Sequence, residues 1–426
     1  MECLSEIENY EKVSQLDTAT KEFFEGQRFA MLESPPAIFS RYWIDGMEYV
    51  VDPTTVFVGS NTNLTKKNLE KGVPDNGIFN SGNRLRTNSL RKVRDYLMQE
   101  KSKYSSHFSG CGILNPPNSY ESTCASALEY IADIVGINKG NLIITCYNQD
   151  KDLIEFWTNN NIAIQSSDSN SRFRWKFGDQ DDSGNELYTG RGVCIETKSK
   201  EGLPLGDFAS IEKIINQEGE EIAVEFGLGY ETTMARSQQI NQLSYAHPLE
   251  YCAINSCMEN IYATPEHTKL ADCLNTILAM LDDVRYLPNQ DFSQQNKSYS
   301  VFCRYRQALY FLIIETGLSV NDITSIIEQM RKIKFKYISS SDIMKLVLGI
   351  TKYQQSFDQL KLAITEHTTG NTEKSLLLTG AKNAKNNNIP LDVVDISTKM
   401  GIVCFEMTKF YDRIKSNLSQ EKNIFF

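Results

Sequence analysis

The spacing of apolar residues changes character partway along this 426-residue chain, and that change limits the fold more than any short motif does. In the first half apolar runs are short. LIITCY at 142–147 reads as a strand, and the alternating IAVEFGLG at 222–229 reads as a strand running into a turn and then a helix. VDPTTVFVGS from Val51, β-branched and aromatic and closed by Gly59 and Ser60, reads as another strand. Between them SYESTCASALEYIADIVG starts with cap-competent residues, places Ala125, Leu128, Ala132 and Val135 at helical spacing, and ends at Gly136. A mostly polar stretch from Thr158 to Asn170 leads into FRWKFGD. From about Thr268 the pattern is helical throughout, and the last long segment sets Ile343, Leu346, Val347, Ile350, Tyr353, Phe357 and Leu360 on one stripe. The expectation is an α+β domain over residues 1–260 followed by an all-α domain over 261–426. The natural cut falls between His247 and Thr268. No internal repeat is visible, and the one biased tract is KNAKNNN before Pro390.

Composition narrows the class. An apolar fraction of 41% and a charged fraction of 23% are those of a globular protein. The net charge of −10 argues against a nucleic-acid grip built on an overall basic excess, although basic residues cluster at Arg84, Arg86, Arg91, Lys92 and Arg94, at Arg304 and Arg306, and at Arg331, Lys332, Lys334 and Lys336. No apolar run approaches the roughly 18 residues of a membrane span, and MECLSEIENYEK is acidic where a signal peptide is basic and then apolar. A cytoplasmic protein without a membrane partner is expected. Ten cysteines and four histidines show neither a CxxC pair nor zinc spacing, so buried reduced thiols and no protein-built metal site are expected.

The strongest single segment is Val224-Glu225-Phe226-Gly227-Leu228-Gly229-Tyr230-Glu231, in which a carboxylate closes a strand just before two glycines at a strand-to-helix turn. Glycines there let a nucleotide approach the backbone, where a Cβ would intrude. The segment resembles the third signature motif of class II aminoacyl-tRNA synthetases in its alanyl form, an acid followed by G-x-G-x-E-R. Phe173-Arg174-Trp175-Lys176-Phe177-Gly178-Asp179 resembles the family's F-W-x-M-G-D, and Thr189-Gly190-Arg191-Gly192-Val193-Cys194 looks like what remains of its T-G-P-C-G-P-C loop. Asp52-Pro53-Thr54-Thr55-Val56-Phe57 resembles D-P-T-L-L-F, and Asn83-Arg84-Leu85-Arg86-Thr87 falls where the motif 2 arginine stands. Ser106-His107-Phe108 lies at the family's H-H-T-F-F. In the helical half, Pro288-Asn289 with Tyr299 to Ala308, and Ile389-Pro390-Leu391-Asp392, resemble segments of the alanyl helical domain. The order of the matches is kept from about residue 50 to the C-terminus.

The resemblance implies a class II synthetase-like antiparallel sheet with flanking helices, joined to a tRNA-binding helical domain, with no editing domain. It implies ATP and Mg²⁺ as cofactors and a small, alanine-like amino acid as substrate. It further implies that Arg86 holds the α-phosphate and that Glu225 holds the substrate α-ammonium. Adenylation is an in-line attack on a phosphoryl centre, so a fixed guanidinium and Mg²⁺ are needed rather than a covalent nucleophile. By the same carry-over His107, Gly227, Gly229, Thr232 and Arg236 would meet ATP. Trp175, Asp179, Val224, Glu225 and Gly227 would meet the amino acid, and Asn289, Arg304, Arg306 and Lys385 would meet tRNA.

Several positions depart from the family. Glu225 stands for Asp, one methylene longer. Thr232 replaces the motif 3 arginine that clamps the γ-phosphate, leaving Arg236 one turn on as the possible substitute. The helix that carries four arginines keeps Arg306 in register with Arg304 shifted, and Lys385 takes the place of a base-reading Asp. Three functions follow as expectations: activation of a small amino acid with transfer to a tRNA 3′ end, the same activation with transfer to a carrier protein, peptide or small molecule, and a degenerate paralogue that binds without chemistry.

Overall fold

A computed structural model describes residues 2–32, 38, 41–44, 47–50, 57–58, 69, 72–86, 105–180, 186–199, 202–238, 254, 265–286 and 298–368. The chain forms two compact units, one of residues 1–88, 102–252 and 283–299, the other of residues 89–101, 253–282 and 300–426.

The first unit is mixed α+β. Its described strands are β1 (Ala30–Leu32), β2 (Arg41–Ile44), β3 (Met47–Val50), β4 (Phe57–Val58), β5 (Ile78–Arg86), β6 (His107–Asn115), β7 (Leu142–Tyr147), β8 (Ala163–Ser167), β9 (Arg174–Gln180), β10 (Glu186–Lys198), β11 (Pro204–Asn216) and β12 (Glu221–Gly229). Among the described residues ten of these form one sheet in the order β1-β5-β6-β12-β11-β10-β7-β8, with β4 on β5 and β9 on β10, while β2 and β3 pair separately. The edge pairs β1–β5 and β7–β8 are parallel. The other pairs are antiparallel.

Helices cover one face of the sheet. Helix α1 (Glu2–Gly26), which composition alone did not suggest, buries Leu16, Thr20 and Phe24 at four-residue spacing. Phe24 stacks on Phe79 with ring centroids 5.1 Å apart, and Thr20 Oγ1 shares a 2.8 Å hydrogen bond with the Tyr130 hydroxyl. Helix α2 (Tyr120–Asp133) forms where the apolar spacing places it, yet its packed stripe is Cys124, Ala127, Leu128 and Ile131, while Ala125 is exposed. Two neighbouring apolar stripes were available on this helix. Packing against the sheet, where Tyr130 of the helix meets Phe226, selects the one with the larger side chains. Gly136 ends the segment with φ +77°, and Ile137 N–H returns to Ile131 C=O.

Helix α3 (Lys151–Asn159) is tied down by charge. Arg174 grips Asp150 with two 2.7 Å bonds, Arg191 grips Asp152 at 2.8 and 2.6 Å, and Lys213 reaches both Asp152 and Glu221. The Arg191 guanidinium holds the Asp152 carboxyl below the usual carboxylate range. The segment expected as the remnant of a loop, Thr189 to Cys194, is therefore the middle of the thirteen-residue strand β10, and Arg191 serves the helix-covered side. Thr158 to Asn170, read as polar connection, contains β8, an edge strand with mostly exposed or half-buried residues that lack the apolar alternation of an internal strand.

In the second unit α5 (Pro265–Asp282) is buried on nearly all sides from Leu270 to Leu281. Helices α6 (Ser298–Thr316), α7 (Val320–Ile333) and α8 (Ser340–Thr368) follow. A capping box between Ser319 and Asp322 starts α7. On α8 the expected stripe buries Ile343, Leu346, Ile350 and Tyr353 and half-buries Val347; the side chains of Phe357 and Leu360 lie outside the described residues. Lys334 Nζ donates to Asn275 Oδ1 at 2.6 Å, joining the end of α7 to α5. No helix among the described residues is long and apolar enough to cross a membrane.

Close backbone packing requires glycine at position 192. A Cβ at Gly192 would lie 2.2 Å from the Ile211 carbonyl oxygen and 2.9 Å from Glu212 Cα. Gly192→Ala should therefore cost about 2 kcal/mol or more and lower Tm by several degrees in thermal denaturation. An unchanged Tm would contradict this β10–β11 register.

Candidate active site

The face of the sheet opposite the core strands' packed residues is paved by small groups, and the register says which. Residues paired across antiparallel strands point to the same side. One row runs Gly82, Gly110 and Gly229. The next runs Asn80, Gly112, Gly227, Ser210, Cys194 and Thr145, and the third runs Ile78, Leu114, Glu225, Glu212 and Gly192. Val224, Phe226 and Leu228 alternate to the other side and enter the helix-covered core. Period-two alternation in VEFGLG thus puts bulk into the core and leaves a carboxylate and two glycines on the floor.

The glycines are not equivalent. At Gly110 a Cβ would meet the Leu228 carbonyl oxygen at 2.4 Å, so packing alone demands glycine. At Gly229 it would meet the Phe108 ring at 3.0 Å. At Gly227 nothing lies nearer than the Cys111 oxygen at 3.9 Å, so the fold itself would accept a side chain there. The open floor at Gly227 is what a flat ligand would use.

Guanidinium groups stand at one end. Arg86 lies over the Phe108 ring, 5.1 Å from its centroid, and its backbone N–H donates to Ser106 C=O. Arg84, on the same side of β5, is 5% exposed and donates from Nη2 to Asn80 Oδ1 at 2.6 Å. To reach Asn80 four residues back, its guanidinium runs along β5 past Gly82, and Asn80 Nδ2 in turn donates to Leu32 C=O of β1 at 3.4 Å. The helix that follows β12, α4 (Tyr230–Ser237), is anchored by Glu231, whose two carboxylate oxygens accept from the Ser109 N–H at 3.0 and 2.9 Å. Tyr230 is buried on the helix-covered side, its hydroxyl 2.9 Å from Ser81 Oγ, which in turn bonds Asp17 of α1.

Carboxylates stand at the other end. Glu225 and Glu212 are direct cross-strand partners, and Ser210 Oγ donates to Glu212 at 3.3 Å. Burial first, and then the like charge of Glu225, push the Glu212 carboxyl from 4.5 up to about 8. Beyond them Ile78, Leu114, Tyr188, Ile214 and Ala223 form an apolar cluster with Leu69 and Val73 that closes this end.

Arg86 and Glu225 share one face of the sheet but do not meet. The Phe108 and Leu114 rows are about 20 Å apart along β6 at ~3.4 Å per residue, and Arg86 lies beyond the first. Arg84 is the guanidinium drawn toward the glycine floor. Sequence reasoning had both arginines in NRLRT but no means of seeing the Asn80 bond; the four-residue spacing from Asn80, on one side of a strand, was its only signal. It likewise missed Glu212, whose place beside Glu225 depends on a hairpin register.

The remaining candidates are placed as follows. His107 is buried opposite Leu85, on the side away from Phe108. Val224, 0% exposed, faces the core, so it could reach a ligand on the floor through its backbone alone. Thr232 is half-buried in the first turn of α4, its Oγ1 3.7 Å from where a Gly229 Cβ would stand. Arg236 is buried and donates from Nε to Gly206 C=O at 3.2 Å. Trp175 pairs with Gly190 through β9, and Asp179 lies on the same strand; their side chains are outside the described residues. Arg304 and Arg306 are half-buried on α6, Arg306 lying 5.6 Å from the Phe302 ring centroid. Asn289 and Lys385, with Ile389 to Asp392, lie outside the described residues. Among the described residues no group of three or more His, Cys, Asp or Glu is placed to hold a metal ion.

No protein-family model matches the chain, and no curated protein matches it in sequence. Solved structures to which it is similar include apo histidyl-tRNA synthetase of S. aureus, at 10% identity and TM-score 0.33, covering 55% of this chain and 71% of that one. Asparaginyl-tRNA synthetase of Entamoeba histolytica with asparaginyl-adenylate matches at 10% identity and TM-score 0.30, covering 56% and 66%. The pyrrolysyl-tRNA synthetase PylSc of Desulfitobacterium hafniense matches at 11% identity and TM-score 0.30, covering 59% and 74%.

The Glu212 carboxyl has a readable consequence for stability. An acid whose folded value is raised holds its proton in the folded state while the unfolded chain has lost it, so stability falls as pH rises from about 4.5 through about 8. The Tm of the ligand-free protein should decline over that window, and Glu212→Gln should flatten the decline. Equal slopes for both proteins would remove Glu212 from this position.

Proposed function

We propose that the first unit activates a small amino acid with ATP, forming an aminoacyl-adenylate and pyrophosphate. The observation that carries this reading is the floor itself: bare glycine backbone at Gly227 and Gly229, with the Arg84 guanidinium beside it and the Glu225 carboxylate one row beyond. Such a surface has opposite charges at its two ends. It suits a molecule with phosphate at one end and ammonium at the other, which is the form of an aminoacyl-adenylate.

In this reading the adenosine lies on the glycines against Phe108, and Arg84, with Arg86 on the outer side of that ring, neutralises the phosphates. Glu225 holds the α-ammonium and so orients the carboxylate for in-line attack on the α-phosphorus. Glu231 is a positioning residue, because it fixes the start of α4 and with it the backbone of Gly229. Mg²⁺ would enter with ATP, held by phosphate oxygens and water as it usually is; the described residues offer it no three-donor cluster, and no protein ligand is assigned. Thr232 in the place of a second guanidinium lowers the charge available to the γ-phosphate, so a slow reaction is expected.

Amino-acid-dependent ATP–pyrophosphate exchange tests the reading. Exchange should be present with a small amino acid and fall about 100-fold or more in Arg84→Ala, in line with the loss of one transition-state donor. Gly227→Ala should keep its Tm, since the fold has room for the methyl, yet lose most of the exchange. Absence of exchange with every amino acid would leave only a binding role.

For the acyl acceptor we propose the 3′ hydroxyl of a tRNA, supported by the helical second unit and by the basic residues Arg331, Lys332 and Lys336 near the end of α7. Binding of an alanine-tRNA acceptor stem should weaken steeply with salt, with log K linear in log salt. No binding at low salt would shift the acceptor to a carrier protein, peptide or small molecule.

A further inference from the structure

Large apolar side chains that stand exposed among the described residues gather in one place. Ile333, Tyr337, Met344 and Leu348 lie where α7 ends and α8 begins, with Tyr337, 66% exposed, in the turn between them. Exposed apolar groups collected in this way mark a surface that a partner covers. The charge of the same corner is opposite to that of the whole protein. Residues 331–352 carry Arg331, Lys332, Lys334, Lys336, Lys345 and Lys352 against a single acid, Asp342, in a chain whose net charge is −10. Lys332, Lys336, Lys345 and Lys352 are exposed. The surface therefore fits a partner that is both anionic and apolar.

The turn is held by its main chain and by its buried neighbours. Tyr337 N–H donates to Asp282 Oδ1 at the end of α5 at 2.8 Å, and Phe335 and Ile338 are buried on either side of it. Ser339 Oγ then donates to Asp342 Oδ2 at 2.6 Å and accepts from the Asp342 N–H at 3.1 Å, which starts α8. The ring is thus presented on a backbone that replacing the side chain leaves in place. Met344, Leu348 and Lys352 follow at four-residue spacing along one outer side of α8. The acids nearby are already engaged: Asp342 also meets Lys345 at 3.1 Å, and Glu328 meets Arg331 at 3.0 Å.

Resting on the reading of RNA as the acyl acceptor, we propose that the α7–α8 corner binds an unpaired stretch of that RNA, with a base stacked on the Tyr337 ring and the adjoining phosphates met by Lys332 and Lys336. Each nucleotide of a single strand brings one negative charge and one flat apolar face, so it answers lysines and an exposed ring together. A duplex hides its base faces in the stack and shows phosphate and sugar outside. It would satisfy the lysines and leave Tyr337, Met344 and Leu348 uncovered.

The experiment measures binding of four probes by the full-length protein: an oligoadenylate of about twelve nucleotides, a blunt-ended RNA duplex of equal length, an alanine-tRNA acceptor stem and a polyglutamate peptide. The variants are Tyr337→Ala, Tyr337→Phe and Lys336→Ala, with circular dichroism and Tm to verify the fold of each. The single strand should bind more tightly than the blunt duplex. Tyr337→Ala should weaken it by about tenfold without changing the slope of log K against log salt, because a stacked base releases no counterion, and Tyr337→Phe should bind as the native protein does. Lys336→Ala should instead reduce that slope by about 0.7. A duplex bound as tightly as the single strand, or a Tyr337→Ala protein that binds as the native one does, overturns the inference and leaves the RNA acceptor standing. So does binding of the acceptor stem without binding of the oligoadenylate. Polyglutamate bound more tightly than the single strand also overturns it, by giving the corner to an acidic protein. No binding of any RNA at low salt removes the RNA acceptor, and the inference with it.

Discussion

The antiparallel register between β6 and β12 is the constraint on which the site depends. It sets Gly112 against Gly227 and Gly110 against Gly229, and so makes a bare strip two strands wide that neither strand could make alone. Its hold is steric as well as hydrogen-bonded, because Gly110 is so close to the Leu228 carbonyl that any Cβ would break the pairing. A one-residue slip would exchange the two sides of β12, burying Glu225 in the core and setting Phe226 and Leu228 on the floor. The Glu231–Ser109 contact then locks the end of the same pair, joining the start of α4 to β6 at the point where the ladder stops.

From that register the distribution of charge follows. β5 carries the arginines at one side of the glycine strip, and the β11–β12 hairpin carries two glutamates at the other. On the opposite side of the sheet the ion pairs have another purpose. Arg174, Arg191 and Lys213 hold the carboxylates at the start of α3 and near α2, and the aromatic cluster of Phe24, Phe79 and Tyr130 brings α1 down onto the strands. One side is thus arranged for packing, with its charges mutually satisfied. The other sets the β5 arginines well away from the Glu225–Glu212 pair, while near Thr145 Arg172 is paired with Glu196 and Asp207.

Much of the local structure was legible in the residues. The strand-turn-helix of IAVEFGLGYE, the strand LIITCY, the helix after Ser119 and the helical character after Thr268 are all set by the spacing of apolar residues over short distances. What the spacing did not give was equally specific. Helix α1 has a weak apolar stripe of Leu16, Thr20 and Phe24 among many charges, and its burial comes from contacts with Phe79 and Tyr130, more than fifty residues away. Thr189 to Cys194 reads as a loop only through its resemblance to T-G-P-C-G-P-C; here Gly192 is needed for the close approach of β11, and the segment is a strand.

The sequence by itself determined the period of each segment, and therefore which side chains of one strand or helix go together: Glu225 with Gly227 and Gly229, Arg84 with Arg86, Ile343 with Leu346 and Ile350. Those relations are local, fixed by the pleat and the helical turn. Only the tertiary structure decided which segments lie side by side and in what register, and hence that Glu212 faces Glu225, that Gly110 and Gly112 meet Gly229 and Gly227, and that His107 lies on the side of the sheet away from those glycines. The reason is physical. Side-chain alternation is a property of a single backbone, whereas the pairing of two strands depends on the packing of every neighbour at once.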